Sequence, residues 1–146
     1  MTNNDILRRL RFSFDYNDNK MIEIFALGDC ITNRTNILGW LKKEETEGYI
    51  RLSDYDFAKF LNGFTILHRG KQDGKELTAE KVLNNNIIFR KLRIALNLKD
   101  DDILQLLENA GYPISKHELS AFFRNPENSK YRECKDQILR YFLIGV

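Results

Sequence analysis

Few side chains in this chain can do chemistry. His68 and His117 are the only imidazoles in 146 residues. Neither has a cysteine or a second histidine at a spacing that closes a metal site. His117 lies inside Ser115-Lys116-His117-Glu118, which reads as a helix-capping box and puts the ring on an exposed first turn. His68 falls where a long fourth helix ends, a place that favours a cation. Cys30 and Cys134 are unrelated by any spacing and make neither a disulfide framework nor a zinc pattern. Asp100-Asp101-Asp102 invites a metal argument, yet a charged helix start needs no metal. There is no phosphate-binding glycine loop and no nucleophile elbow. The expectation is a protein that is no enzyme, with no catalytic residue, no metal and no cofactor.

The chemistry that remains is cationic and amide-based. Arg34, Asn36, Lys42 and Lys43 cluster in one segment, and Lys116, His117 and Arg124 in another. Arg8 and Arg11 near the start are repeated as Arg90 and Arg93. Arginine, lysine and asparagine are the types that read base edges or hold phosphates, so these eleven residues are the candidate nucleic-acid contacts. The charge balance argues against a strong non-specific binder. Residues 3–64 carry 9 basic and 10 acidic side chains, 65–84 carry 4 and 3, and 85–146 carry 10 and 8. A clear basic excess is the usual footprint of such a binder. The repeated arginines have a competing structural reading, in which they pair with aspartates of a neighbouring helix or cap carboxyl ends.

The elements that must position these residues come in two copies. Shifting the sequence by 82 positions lays residues 3–64 on 85–146 without a gap. Identical pairs include Asn3/Asn85, Asn4/Asn86, Ile6/Ile88, Arg8/Arg90, Leu10/Leu92, Arg11/Arg93, Asp18/Asp100, Tyr49/Tyr131, Asp54/Asp136, Phe60/Phe142 and Gly63/Gly145. This is a tandem duplication. Each half is small for a stable domain, so a shared core is expected.

Each copy reads as four helices. The first begins near Asn3 or Asn4, either able to cap it, and carries Ile6, Leu10 and Phe14 on one stripe. The second starts at Asp18 or Asp100, again as a cap, and ends at Gly28 or Gly111, where glycine accepts a left-handed conformation. Asn33 caps the third helix in the first copy and Ser115 in the second, with Ile37 and Trp40 or Leu119 and Phe122 on the apolar side. Trp40 aligns with Phe122 and is read as core. Polar loops follow, each holding one aligned tyrosine, Tyr49 or Tyr131, as an anchor. The fourth helix carries Phe57, Phe60, Leu61 and Phe64, or Leu139, Phe142 and Leu143, and in the first copy runs on through Leu67. Gly70–Lys75 reads as exposed linker, and Thr78–Leu83 as the start of the run into the second copy. No segment alternates with period two, so little or no sheet is expected.

With the repeat in view, the chain resembles the YehS-like family of small bacterial proteins that carry two copies of one helical domain. The residues that carry the resemblance are Leu92–Asp100, Ser115–Ser120 and Tyr131–Cys134, with Glu23–Leu27 and Phe60–Gly63 in the first copy. It spans nearly the whole chain. It implies the fold and brings no established activity.

The expected architecture is all-α: a tandem duplication of a roughly four-helix, helix-turn-helix-like unit, packed as a pseudo-twofold pair. The first repeat spans 3–69, a linker 70–83 and the second repeat 84–146. The second helix, turn and third helix have the order of a phage-repressor-type reader, although Gly111 to Leu119 makes a longer turn than usual. Two copies would act as a built-in dimer, with third helices about 34 Å apart when they meet one groove. The functional expectation is a regulatory nucleic-acid-binding protein. The alternative is a protein-interaction module, since stacked helical repeats present surfaces that partners use. A homodimer, including one made by exchange of halves, fits either. No apolar run is long enough for a signal or a membrane span, so a cytoplasmic protein with no membrane partner is expected.

Overall fold

The computed structural model describes residues 1–71, 74 and 76–146. Its helices are α1 (Asn3–Phe14), α2 (Asp18–Leu27), α3 (Arg34–Leu41), α4 (Asp54–Arg69), α5 (Asn85–Ala95), α6 (Asp100–Asn109), α7 (Lys116–Phe122) and α8 (Asp136–Gly145). No strand occurs among the described residues. The all-α tandem architecture is therefore the observed one, four helices followed by four. The chain divides into two compact units, Met1–Leu83 and Asn84–Val146.

In the first unit α2 packs on α4 and α3, and α1 packs on α3 and α4. Phe25 sits between Trp40 and Phe60, at 4.9 Å from each ring. All three are buried, with Ile6, Leu7, Leu10, Met21, Ile37, Phe57 and Phe64 around them. Each such side chain contributes about 1.5–3 kcal/mol when fully buried. In the second unit α6 packs on α7 and α8, and α5 on α8. There Phe89 takes the central place, 4.7 Å from Phe142. The apolar stripes read from the sequence are the buried faces, and Trp40 is core, 6% exposed.

The helix starts differ from the expectation by one residue. Thr2, rather than Asn3 or Asn4, caps α1: its hydroxyl accepts the Asp5 amide at 3.1 Å, and the Asp5 carboxylate accepts the Thr2 amide at 2.9 Å. Asn84 caps α5 and Asn17 caps α2. Asp18 and Asp100 stand inside the first turn, where their charge still suits the helix dipole. The α6 cap position is Lys99, which has no acceptor to offer; Asp102 instead takes its backbone amide at 2.8 Å. Asn33 and Ser115 cap α3 and α7 as expected, and Ser53 caps α4.

Two glycines are there for closeness. Gly28 has φ −93°, so it is no left-handed cap; Asp29 takes the positive φ, 65°. A Cβ on Gly28 would lie 1.7 Å from the Lys59 carbonyl oxygen, and one on Gly63 would lie 1.8 Å from that of Ile24. Backbone meets backbone where α2 crosses α4. Gly111 does adopt the expected positive φ, 90°.

The fourth helix of the first unit runs to Arg69, as expected. Gly70, Lys71 and Gly74 are exposed, while Gln72, Asp73 and Lys75 of the expected linker lie outside the described residues. Thr78–Leu83 forms no helix, and α5 begins only at Asn85. The Leu83 amide donates to Asp54 at 3.0 Å, which ties this irregular segment to the start of α4.

Candidate nucleic-acid interface

The Asn-Asn pairs that open each copy turn inward. Asn4 is 1% exposed. Its amide nitrogen donates to the carbonyls of Trp40 at 3.0 Å and Ile50 at 2.8 Å. Its oxygen accepts the Leu52 amide at 3.0 Å and the Tyr49 hydroxyl at 3.2 Å. Asn86 repeats this with Phe122 at 3.1 Å, Arg132 at 2.9 Å and the Cys134 amide at 2.9 Å. Asn3 donates to the Leu52 carbonyl and Asp54, and Asn85 to the Cys134 carbonyl and Asp136. The bond from Asn85 is the main reason the Asp136 carboxyl titrates below the usual range. These clamps hold the loop after the third helix, so the third helix enters each unit in one orientation. The sequence showed the repeated pair. Its long-range role had no local signal.

Several candidate contacts are engaged within the fold. Arg8 donates to the Asp5 carboxylate and, at 3.2 Å, to the Lys42 carbonyl. Its aligned partner Arg90 donates to the Phe123 carbonyl at 3.1 Å. Both arginines thus satisfy carbonyls at the free end of a third helix, where a cation also suits the dipole. Arg93 pairs with Asp100 at 2.8 Å and lies over the Phe123 ring at 4.7 Å. Arg11 is half-buried, with its Nε buried and without a hydrogen-bond partner. Arg34 is exposed and pairs with Asp18 at 3.2 Å. Asn36 donates to Thr32 at 3.2 Å, and Lys42 to the Glu47 carbonyl at 2.8 Å.

Other candidates stay at the surface. Lys43, Lys116 and His117 are exposed and Arg124 is half-buried. Among the described residues, no ion pair or side-chain hydrogen bond reaches Lys43, Lys116 or Arg124. The one acid on the first turn of α7, Glu118, is folded back onto the Ser115 amide at 3.2 Å.

His68 is not the simple helix-end cation its position suggested. Its ring packs edge-on to Phe64 at 4.3 Å and Phe14 at 5.4 Å, and its Nε2 lies 3.1 Å from the Tyr16 hydroxyl. Burial, then the Lys20 charge, depress its pKa. Burial also pushes the Tyr16 hydroxyl up to about 12. Cys134 is buried, and its thiol is pushed up to about 12 by the same cause. Cys30 is half-buried and raised less far. No group of three or more His, Cys, Asp or Glu among the described residues is placed to hold a metal ion. No helix among them is long and apolar enough to cross a membrane.

One feature off the apolar stripe of the first helix escaped the sequence reading. Phe12 is 70% exposed and its aligned partner Ile94 is 45% exposed. Both are apolar and stand outside the stripe of Ile6 and Leu10, a signal the alignment already contained.

Fold and surface define a class: an all-α protein built from two copies of one four-helix unit, each holding its third helix by a buried asparagine. The chain belongs to the family described as "Protein of unknown function (DUF1456)", which matches residues 3–70 and 85–146. It is similar to the "Uncharacterized protein YehS" of Escherichia coli (strain K12), at 43% identity over 147 residues, covering 100% of this chain and 94% of that protein. No solved structure matches it.

Proposed function

We propose that this chain is a regulatory nucleic-acid-binding protein, without enzymatic activity, that docks on duplex DNA through a third helix of its repeat. One observation carries the reading. The third helix of each copy packs by its later residues, Ile37 and Trp40 or Leu119 and Phe122, and starts on a capped first turn that faces solvent. That is the presentation a groove-entering helix needs, because base edges and phosphates are met by the first turns. The net charge of +2 sets the scale. Few phosphates are neutralised, so binding should be modest and the salt slope shallow.

A second reading, a protein-interaction module, is favoured by Phe12 and Ile94. An exposed large apolar side chain at the same place in both copies is what a repeated docking surface would use.

Titration of labelled random-sequence duplex DNA at low and at moderate salt separates the two. Binding at low salt that weakens as salt rises supports the first reading. Absence of binding at low salt, where phosphate attraction is greatest, removes it and leaves the interaction module.

A further inference from the structure

The two copies present their third helices with different chemistry. We infer that the second copy alone carries the duplex contact, through a stripe of Lys116, Ser120 and Arg124 with His117 beside it. The inference rests on the function proposed above.

Spacing of i, i+4 places Lys116 and Ser120 along one side of α7, and Arg124 follows in the bend just past the end of the helix at Phe122. The aligned positions in the first copy are Arg34, Leu38 and Lys42. Three differences separate the stripes. Asp18 holds Arg34 at 3.2 Å, whereas the aligned Asp100 is taken by Arg93 at 2.8 Å. The Glu47 carbonyl holds Lys42 at 2.8 Å, whereas the aligned Ser129 carbonyl is taken by Arg132 at 3.2 Å. In both cases the acceptor that holds the first-copy cation is occupied, in the second copy, by another arginine. Lys116 and Arg124 have no such partner among the described residues.

The third difference lies at the centre of the stripe. Leu38 is 43% exposed, and Ile31 in the turn before it is 87% exposed. Ser120 and Pro113 stand at those places in the second copy. An apolar centre covers phosphate oxygens without offering a donor, which costs desolvation and returns nothing; Ser120 removes that apolar cover, its own hydroxyl donating to the His117 carbonyl at 3.0 Å. The first turn of α7 also keeps its acid, Glu118, on the cap. The partner this fits is the phosphate backbone of a duplex, met by two or three cations.

The test compares two double variants of the full chain that remove the same charge. K116A/R124A changes the second copy and R34A/K42A the first. Anisotropy of a labelled random-sequence duplex is followed against salt, with circular dichroism to show that both variants keep their helices. K116M/R124M repeats the second-copy change with long side chains in case alanine disturbs α7. The expected result is a loss on the order of tenfold for K116A/R124A at low salt and a salt slope smaller by about two, one per phosphate contact. R34A/K42A should move affinity by no more than about twofold. Equal losses in the two variants, or an undiminished K116A/R124A and K116M/R124M, overturn the inference and leave the proposed function standing. No duplex binding by the unaltered chain overturns the proposed function itself.

Discussion

The side-chain oxygen of Asn4 accepts the backbone amide of Leu52 at 3.0 Å, across 48 residues of chain. The same bond joins Asn86 to Cys134 at 2.9 Å. A buried carboxamide that meets two carbonyls and an amide is a full set of partners, and its loss strands each of them in the core.

Asn4→Leu keeps the branched shape of the side chain and removes every bond. The carbonyls of Trp40 and Ile50 and the Leu52 amide are then left in or beside the core without a partner. Each stranded group costs about 1–3 kcal/mol, so urea unfolding should show a loss of about 3 kcal/mol or more. Asn3→Ala, at a half-buried site, should cost about 1 kcal/mol. Similar losses for the two variants would refute the clamp.

Gly63→Ala places a methyl group 1.8 Å from the Ile24 carbonyl, so α2 and α4 must separate. Overpacking of this kind costs about 1–3 kcal/mol. Gly145→Ala meets the Leu106 carbonyl at 2.6 Å and should cost less. Thermal midpoints of the two variants give the order directly.

His68 carries a pH dependence whose sign follows from its depressed pKa. The folded state favours the neutral ring. Its contribution is present above the ordinary histidine value of 6.5 and is lost as pH falls through that value toward the depressed one. Lys20 across the site opposes the protonated ring, and Tyr16 titrates too high to take part in this range. The thermal midpoint should drop between neutral and mildly acid pH, and His68→Gln should flatten that drop. An unchanged pH profile in the variant would locate the effect elsewhere.

Thiol labelling of the native protein should modify Cys30 before Cys134. The thiolate is the nucleophile, and burial both raises the Cys134 thiol to about 12 and blocks access to it. Mass spectrometry after brief exposure to iodoacetamide should find one adduct, on Cys30. Unfolding in urea should bring the second.

Much of the molecule was legible from residues alone. The duplication, the eight helices, the buried stripes through Phe25, Trp40, Phe60, Phe89 and Phe142, and the caps at Asn33, Ser53 and Ser115 all follow from short-range rules. Helical periodicity and capping involve residues within one or two turns of each other, so a linear string contains them. Partner choice is not local. Asn3 and Asn4 could cap a helix by type, and Thr2 does so while they reach residues 36 to 51 positions away. Gly28 looked like a left-handed cap, and the approach of α4 explains it. Arg34 and Lys116 look alike in sequence. Whether an aspartate is left over to hold each one depends on which arginine of another helix reaches that aspartate first, and only the packed unit decides it.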